Sequence, residues 1–396
     1  MEIEFTTANG QSGSLFDSCP ERTDTDSLKW SRYRGRDILP MWVADMDVVC
    51  AEPILEALER RVRHGVFGYA IARPADTQAV IDWVDARHGW HLEKEWIVWL
   101  PGLVPALNVA CRAFAEPEDD VATFTPVYPP FLSAPTLSQR RLVTCQLGRE
   151  NNRYTFDLDA LAKTVTPRTK LLLLCSPHNP VGRVWTRREL NELTQFCLQR
   201  NILICSDEIH CDLVLDEGCR HLPTATLSAE IAERTVTLIS PGKTFNLPGL
   251  NCGMAIIPNE TLRRQFVRTA AGILPHVNAL GYTACRAAFT RGQPWREQLI
   301  AYLRSNRDTL AEAIGALPGL SMGPVEATYL AWIDATGLKT QNPAKWFECA
   351  GVGVSDGADF AGAGFVRLNF GCSRARLENA VQRIKTALHS REQYSG

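Results

Sequence analysis

Five short apolar runs, each followed by polar or small residues, most constrain how this chain can fold. They lie at 96–100, 121–124, 171–175, 202–206 and 235–239, and stretches with helical spacing of apolar residues separate them. The third run reads Leu-Leu-Leu-Leu-Cys, which is typical of a strand covered on both faces. Strands that alternate with helices predict an α/β fold with a mostly parallel sheet flanked by helices. Such sheets carry their binding sites at the carboxyl ends of the strands.

The last of these runs leads through Ser240 to Lys243, which stands between Gly242 and Thr244. A lysine in a turn of small residues, with no carboxylate beside it, is poorly explained as a solvated surface charge. An amine removed from water loses its proton more readily and can attack an aldehyde, so Lys243 is a candidate Schiff-base lysine. Taken alone, the position is better explained by an ordinary loop lysine, and only the motifs upstream change that interpretation.

Three motifs in the right order resemble the fold-type I pyridoxal-phosphate enzymes. They are Ser240-x-x-Lys243, the sequence Asp-Glu-Ile-His at 207–210 and the sequence Ser-Pro-His-Asn-Pro-Val-Gly at 176–182. Within that superfamily, Met-Trp-Val-Ala-Asp-Met-Asp at 41–47 and the histidine at 210 resemble the MalY/PatB-type cystathionine β-lyase branch. The similarity extends from about residue 39 to residue 384 and implies an aminotransferase-like fold.

The resemblance implies how the chain holds the ring of pyridoxal 5'-phosphate. Lys243 forms a Schiff base with the cofactor, and Asp207 pairs with the ring nitrogen and keeps the ring cationic. Tyr128 stacks on the ring, and Asn179 donates to its phenolate oxygen. His210, where aminotransferases of the superfamily commonly carry tyrosine, lies against the phenolate side.

A phosphate site is expected after the run at 96–100. A strand, a glycine turn and a helix start place the backbone N–H groups of Gly102, Leu103 and Val104 at the positive end of a helix dipole. Because it contains only one glycine, this pattern is weak evidence for a phosphate site by itself. It is also not the G-x-G-x-x-G fingerprint of dinucleotide-binding proteins. The resemblance adds Ser240 to the cofactor contacts, and adds Tyr69, which would reach the phosphate of a second subunit. It therefore implies a homodimer.

The substrate side of the predicted site depends on Arg367, Trp42 and Ala44. Strand alternation places Arg367 on the face opposite Val366 and Leu368. The resemblance implies that Arg367 binds the substrate α-carboxylate bidentately, and an edge-strand salt bridge is the alternative. It also implies that the backbone around Trp42 and Ala44 crosses the mouth of the site and helps hold that carboxylate, whereas core packing is the alternative for Trp42.

Two departures from the family pattern leave fine substrate specificity open. Gly-Cys-Ser stands at 371–373 where the branch is expected to have Ala-Cys-Pro, and Gly242 is smaller than the expected serine or threonine. Neither change removes a group that the chemistry requires.

The pattern of apolar residues changes near residue 280, from alternating strands and helices to long helical stretches followed by a few strands. We therefore predict a large pyridoxal-phosphate-binding domain at 50–280 and a small α+β domain formed by 1–49 and 281–396. A chain of 396 residues with 45% apolar content is long enough for both.

Composition excludes several other classes of function. A net charge of -2 offers no reason to expect nucleic acid or an anionic membrane as a partner, and no apolar run has the length of a membrane span. The N-terminal residues lack the pattern of a signal peptide. Thirteen scattered cysteines without a C-x-x-C pair argue against a metal site and for a reducing cytoplasm.

The sequence therefore predicts a pyridoxal-phosphate-dependent carbon–sulfur β-lyase. Its substrate would be an amino acid, either cystathionine or a related cysteine S-conjugate, cleaved to a thiol, pyruvate and ammonia. The first alternative is an aminotransferase of the same fold, which shares these residues but returns the proton to the cofactor. The second is a pyridoxal-phosphate-binding regulatory protein.

Overall fold

The computed structural model describes residues 5–6 and 12–394 of the chain, with the side chains of 14–390. The helices of this part are α1 Leu28–Ser31, α2 Glu52–Arg63, α3 Pro74–His88, α4 Leu103–Phe114, α5 Pro129–Leu137, α6 Leu158–Thr164, α7 Arg187–Gln199, α8 Ala229–Ala232, α9 Pro241–Thr244, α10 Glu260–Ala270, α11 Ala279–Arg291, α12 Gln293–Gly315, α13 Pro343–Cys349 and α14 Arg374–Tyr394. Among the described residues, no helix has the length and apolar character needed to cross a membrane.

The strands of the described residues are mostly short. They are β1 Phe5–Thr6, β2 Ser12–Gly13, β3 Leu39–Pro40, β4 Ile97–Leu100, β5 Asp120–Thr125, β6 Arg141–Gln146, β7 Gly148–Glu150, β8 Arg153–Thr155, β9 Thr169–Cys175, β10 Leu203–Asp207, β11 Thr235–Ile239, β12 Gly253–Ile256, β13 Ser321–Met322, β14 Leu330–Asp334, β15 Val352–Gly353, β16 Ser355–Asp356 and β17 Phe365–Asn369.

The largest sheet has seven strands in the order β4-β12-β11-β10-β9-β5-β6. The five strands from β11 to β6 run parallel, and β12 lies antiparallel to both of its neighbours. Asp207 at the end of β10 is in register with Cys175 of β9 and Leu238 of β11. The chain segments that leave these three strands therefore start side by side at one edge of the sheet, which confirms the predicted mostly parallel architecture.

Helices cover both faces of this sheet because the central strands are apolar on both sides. Leu171 and Leu173 of β9 belong to the core that α4 and α10 cover. The alternate residues Leu172 and Leu174 belong to the opposite core, which α7 covers. All four side chains are at most 1% exposed, so the apolar run is accounted for by two-sided burial.

A second, antiparallel sheet has the order β13-β14-β17-β16, and the segment before α2 joins this part of the chain. The link is the short parallel pair between β3 and β15, where Leu39 is in register with Val352. This pairing brings residues 41–47 next to β17, which carries Arg367. The division into domains at 50–280 stays a prediction, and residues 1–4, 7–11 and 395–396 of its small domain lie outside the described residues.

Three local predictions differ from the observed elements. The apolar residues after Pro105 predict a helix over 107–114, whereas helix α4 begins at Leu103, because Pro105 lies in the first turn, where its missing N–H has no partner to lose. Helix α5 follows Tyr128 directly, although two prolines at 129 and 130 suggested extended chain. Lys243 lies in the one-turn helix α9 rather than in an irregular turn.

Candidate active site

A cavity of about 200 Å³ opens where β9, β10 and β11 end. Ten of the thirteen residues predicted for the site line it, namely Ala44, Gly102, Leu103, Val104, Tyr128, Asn179, Asp207, His210, Ser240 and Lys243. Arg367 and Trp42 lie in the lining of an adjoining cavity. Tyr69 lines neither of the two.

Lys243 projects into the cavity from helix α9. The Ser240 Oγ accepts a hydrogen bond from Gly242 N at 3.0 Å and so caps the helix that carries the lysine. The amine Nζ donates to the backbone oxygen of Ala44 at 2.6 Å. Burial, followed by the nearby charge of Arg367, lowers the pKa of Lys243 to about 8. A larger fraction of the amine is therefore neutral, and nucleophilic, near physiological pH.

Asp207 ends β10 at the edge of the same cavity and is 5% exposed. Its Oδ1 accepts a hydrogen bond from Ile209 N at 3.1 Å. Burial raises the pKa of Asp207 to about 7, against the smaller effect of this bond and of Lys243. A cation held against the carboxylate would oppose that effect and favour the ionised form.

His210, Tyr128 and Asn179 surround the space between these two charged groups. Burial lowers the pKa of His210 well below its ordinary value, so its ring is neutral, and its buried Nδ1 has no hydrogen-bond partner in the described residues. Tyr128 immediately precedes helix α5, and its N–H donates to the backbone oxygen of Asn179 at 3.1 Å. Both side chains are thus held by the turn that follows β9.

Arg367 is 4% exposed and binds neutral oxygens rather than a carboxylate. Its Nη1 donates to the side-chain oxygen of Asn179 at 3.1 Å, and its Nη2 donates to the backbone oxygen of Trp42 at 2.9 Å. The guanidinium carbon lies 4.6 Å from the centre of the Phe360 ring. Within the described part of the chain, Arg367 forms no salt bridge and its buried Nε has no partner. The predicted alternative, an edge-strand ion pair, is not what the structure contains.

The segment 42–46 crosses the site through its backbone oxygens. The oxygen of Ala44 accepts from both Lys243 and the hydroxyl of Tyr329, the latter at 2.9 Å. The amide of Asn369, on β17, donates to the oxygens of Val43 and Asp45 at 2.7 and 2.6 Å. These oxygens are acceptors, so they position Lys243 and Arg367 and cannot themselves bind a carboxylate.

A buried ion cluster around Asp47 anchors the end of this segment. Lys29, Arg22 and Arg376 each lie within 3.1 Å of the Asp47 carboxylate, and Trp30 Nε1 also donates to it at 3.1 Å. Burial alone raises the pKa of Asp47, but Lys29 and Arg376 hold it below its ordinary value. The side chains of Lys29 and Asp47 are 1% and 0% exposed, so this pair of charges has little access to water.

The start of α4 offers donors to the cavity. Gly102 has a φ of 143°, in a region that glycine occupies without strain, and it turns the chain from β4 into the helix. The N–H groups of Leu103 and Val104 belong to the first turn, where an α-helix supplies no backbone acceptor. The Ser240 hydroxyl faces the same end of the cavity but donates to the oxygen of Cys252 at 2.7 Å.

Tyr69 lies away from these residues, on the surface. It belongs to the irregular segment between α2 and α3 and is fully exposed. Val66, Phe67 and Ile71 of the same segment are each more than 60% exposed. A run of large apolar side chains on the surface is typical of an interaction site.

The residues present fit pyridoxal phosphate. The cavity has a cluster of backbone donors at one end and a buried carboxylate and a lysine amine elsewhere in its lining. It also contains a buried polar atom, His210 Nδ1, that the protein leaves without a partner. Unpartnered buried polar groups are rare in folded proteins, and a bound group that supplies the partner accounts for this one.

Sequence reasoning missed three residues that hold the site together. Asn369 lies two residues after Arg367, so both side chains leave the same face of the strand. This spacing was a signal that the two residues serve the same site. Asn246, whose amide donates to the oxygens of Met46 and Val48, lies three residues after Lys243. Tyr329 begins a predicted strand and carried no signal, because its contact with Ala44 joins positions 285 residues apart.

Comparisons with known proteins agree with this geometry. The family model for aminotransferase class I and II matches residues 47–384. Cystathionine beta-lyase PatB of Bacillus subtilis (strain 168) is 39% identical over 385 residues, which cover 94% of this chain and 99% of that protein. The crystal structure of OvoB is 47% identical with a TM-score of 0.93, over 94% of this chain and 98% of that one. Cystalysin from Treponema denticola, whose structure contains pyridoxal 5'-phosphate, is 31% identical with a TM-score of 0.90, over 95% and 98%.

Proposed function

We propose a reaction for this chain on the premise that it belongs to the aminotransferase class I and II family. The chain is a pyridoxal-5'-phosphate-dependent carbon–sulfur β-lyase, and its substrate is cystathionine or a related cysteine S-conjugate. The observation that carries the proposal is the amine of Lys243, 2.6 Å from the oxygen of Ala44 in the cavity that also contains Asp207. The name of PatB supports the choice of reaction.

The binding roles follow from the chemistry of each side chain. Lys243 is the attachment point for the cofactor aldehyde, and Asp207 pairs with the proton on the ring nitrogen. The N–H groups of Leu103 and Val104 bind the phosphate at the positive end of α4. Tyr128 packs against the ring, where aromatic stacking contributes roughly 0.5–1.5 kcal/mol beyond buried area.

Catalysis requires a base near the substrate α-carbon and a residue that binds the α-carboxylate. Bound pyridoxal phosphate supplies an electron sink for the pair released when the α-proton leaves. Once the substrate amino group had replaced Lys243 at the cofactor aldehyde, the freed Nζ would take that proton, and its lowered pKa suits a general base. Arg367 holds the α-carboxylate, and its contacts with Asn179 and Trp42 fix the guanidinium beforehand. The β-thiolate then leaves, and the remaining fragment hydrolyses to pyruvate and ammonia.

We also propose a homodimer in which Tyr69 reaches the cofactor phosphate of the partner's site. The support is the exposed segment that contains Val66, Phe67, Tyr69 and Ile71, which a second copy would cover. A reducing cytoplasm is proposed as the location, because all thirteen cysteines are free thiols and nine of them are buried as small apolar side chains.

One assay tests the reaction. Thiol, pyruvate and keto-acid release is measured with the cofactor-loaded protein across a panel of cysteine S-conjugates. A β-lyase releases thiol and pyruvate in equal amounts without an amino acceptor. An aminotransferase forms a keto acid that retains its sulfur and needs an acceptor, and a regulatory protein forms neither product. Either of the last two results would contradict the proposal.

A further inference from the structure

A second, open cavity of about 370 Å³ adjoins the one that contains Lys243. We name it the outer basin. Tyr128 lines both cavities, and the outer basin includes Trp42 and Val43, the residues immediately before Ala44. Arg367 also lines it, buried and with its Nε unpartnered in the described residues. The predicted carboxylate-binding residue therefore lies at the boundary between the two cavities.

The outer basin contains charges of both signs that the protein leaves unpaired. Asp356 and Asp359 lie in its lining, and so does Arg32. None of the three forms a salt bridge among the residues that the structure describes. By contrast, Lys345 and Glu348, in the same lining, pair with each other at 2.8 Å. Besides Arg367, three charges are thus available to a ligand.

The two carboxylates are held in a fixed position relative to Arg367. Asp356 belongs to β16, whose preceding residue Ser355 is in register with Arg367 on β17. The Asp356 Oδ1 accepts from Ala358 N at 3.0 Å and caps the 3-10 turn that carries Asp359. The next residue, Phe360, packs under the Arg367 guanidinium and accepts a backbone hydrogen bond from Val127 at 3.0 Å.

Arg32 is held in the segment that precedes β3. Its guanidinium carbon lies 4.6 Å from the centre of the Trp42 ring, where cation–π attraction orients it. The Trp42 ring is itself anchored, because its Nε1 donates to the oxygen of Lys29 at 3.0 Å. The lining thus contains a cation and two carboxylates, which are complementary to a ligand that carries both an ammonium and a carboxylate group.

We propose that the outer basin binds the thiol half of a cysteine S-conjugate whose thiol half is itself an amino acid. Asp356 and Asp359 receive its ammonium group, and Arg32 receives its carboxylate. This inference rests on the proposed lyase function, since Arg367 then holds the α-carboxylate of the cysteine half at the boundary of the basin. An apolar thiol half gains none of these contacts, so the basin selects substrates by charge.

Four substrates of similar chain length test the inference because their thiol halves carry different charged groups. They are cystathionine with both charges, S-aminoethylcysteine with an ammonium, S-carboxyethylcysteine with a carboxylate, and S-propylcysteine with neither. Asp356→Asn and Asp359→Asn should lower kcat/KM about three- to tenfold for the first two substrates only. Arg32→Gln should lower kcat/KM by a similar factor for cystathionine and S-carboxyethylcysteine only, and Arg32→Lys should recover part of that loss.

Glu312→Gln and Arg268→Gln are matched controls, because both residues are exposed and outside the basin. They should leave all four kcat/KM values at those of the parent. Variants that lower activity equally on every substrate, or on none, would overturn the subsite while leaving the lyase reaction intact. A parent that releases no thiol from any of the four substrates would instead overturn the proposed function itself.

Discussion

At the scale of single residues, burial shifts the pKa values of Lys243 and Asp207, which line the same cavity, in opposite directions. It lowers the pKa of Lys243 to about 8 and raises that of Asp207 to about 7. Near neutral pH, both groups carry less charge than they would in water. A cationic ring held against Asp207 would restore the carboxylate, and binding of the cofactor would then be linked to ionisation of Asp207.

This linkage predicts how cofactor-free protein responds to pH. The pKa of Asp207 rises from an ordinary 3.8 to about 7 on folding, so between these values the folded state binds more protons than the unfolded state. The free energy of unfolding therefore falls as pH rises through that window, by about 4 kcal/mol at most. Asp207→Asn should remove this fall. Urea unfolding of both cofactor-free proteins at pH 5 and pH 8 measures it, and identical pH dependence in the two would refute the argument.

Lys243 should be the residue that carries the cofactor. Protein loaded with pyridoxal phosphate and reduced with borohydride should yield one labelled peptide, containing Lys243. Lys243→Ala should lose the label, and the loss of a general base should cost at least about 10²-fold in kcat. Lys163→Ala, at an exposed position on α6, is the control and should be labelled like the parent. A label on another lysine in the parent would end the assignment.

Arg367 should bind substrate rather than stabilise the fold. A lysine offers a point charge and cannot reproduce a two-pronged guanidinium–carboxylate pair. Losing one charge-assisted hydrogen bond costs roughly 1.5–3 kcal/mol, so Arg367→Lys should lower kcat/KM about ten- to a hundredfold. The melting temperature and the cofactor absorption should stay close to those of the parent. A lowered melting temperature with unchanged kcat/KM would identify Arg367 as structural.

At the scale of elements, the central strands could be predicted because their apolar runs are covered on both faces. The same reasoning could not find α5, since prolines at 129 and 130 suggest extended chain until a tertiary contact makes the first a helix start. It placed Asp207 at a strand end correctly, whereas Lys243 lies in helix α9 after β11 and not in the expected turn. It could not find Tyr329 at Ala44, because no local pattern reports a hydrogen bond between distant segments.

The segment 42–46 is the element whose placement depends most on buried charge. Asp47→Asn should destabilise the protein by about 3–5 kcal/mol, because Lys29 would be left buried without its main counter-charge. Activity should fall with it, since Ala44 of the same segment holds Lys243. Urea unfolding and kcat/KM measure the two effects.

A double variant separates charge from packing in this cluster. Adding Lys29→Met to Asp47→Asn removes the unpaired cation and should recover part of the lost stability. Glu21→Gln is an exposed control in the same region and should change little. If the double variant is as unstable as the sum of the two single variants, the cluster does not act through buried charge.

At the scale of the whole molecule, the predicted site is complete only if a second chain supplies Tyr69. Mixing Tyr69→Phe chains with Lys243→Ala chains should therefore restore activity. One site of each mixed dimer then contains both defects and the other contains neither, so about a quarter of the parent's activity is expected if chains mix at random. The measurement is kcat per cofactor after the chains are unfolded and refolded together. A parent that is fully active as a monomer would reject this arrangement.

Strand β17 carries both Arg367 and Asn369. The Asn369 amide donates a hydrogen bond to the oxygen of Val43, 326 positions earlier in the chain. During synthesis on a ribosome, residues 42–46 emerge early, and Asn369, which holds Val43 and Asp45, is made only when the chain is almost finished. The stretch from β4 to α9, which contains Lys243, is translated well before. We therefore expect an interrupted translation product that ends before β17 to lack Arg367, and with it the proposed site for the substrate carboxylate.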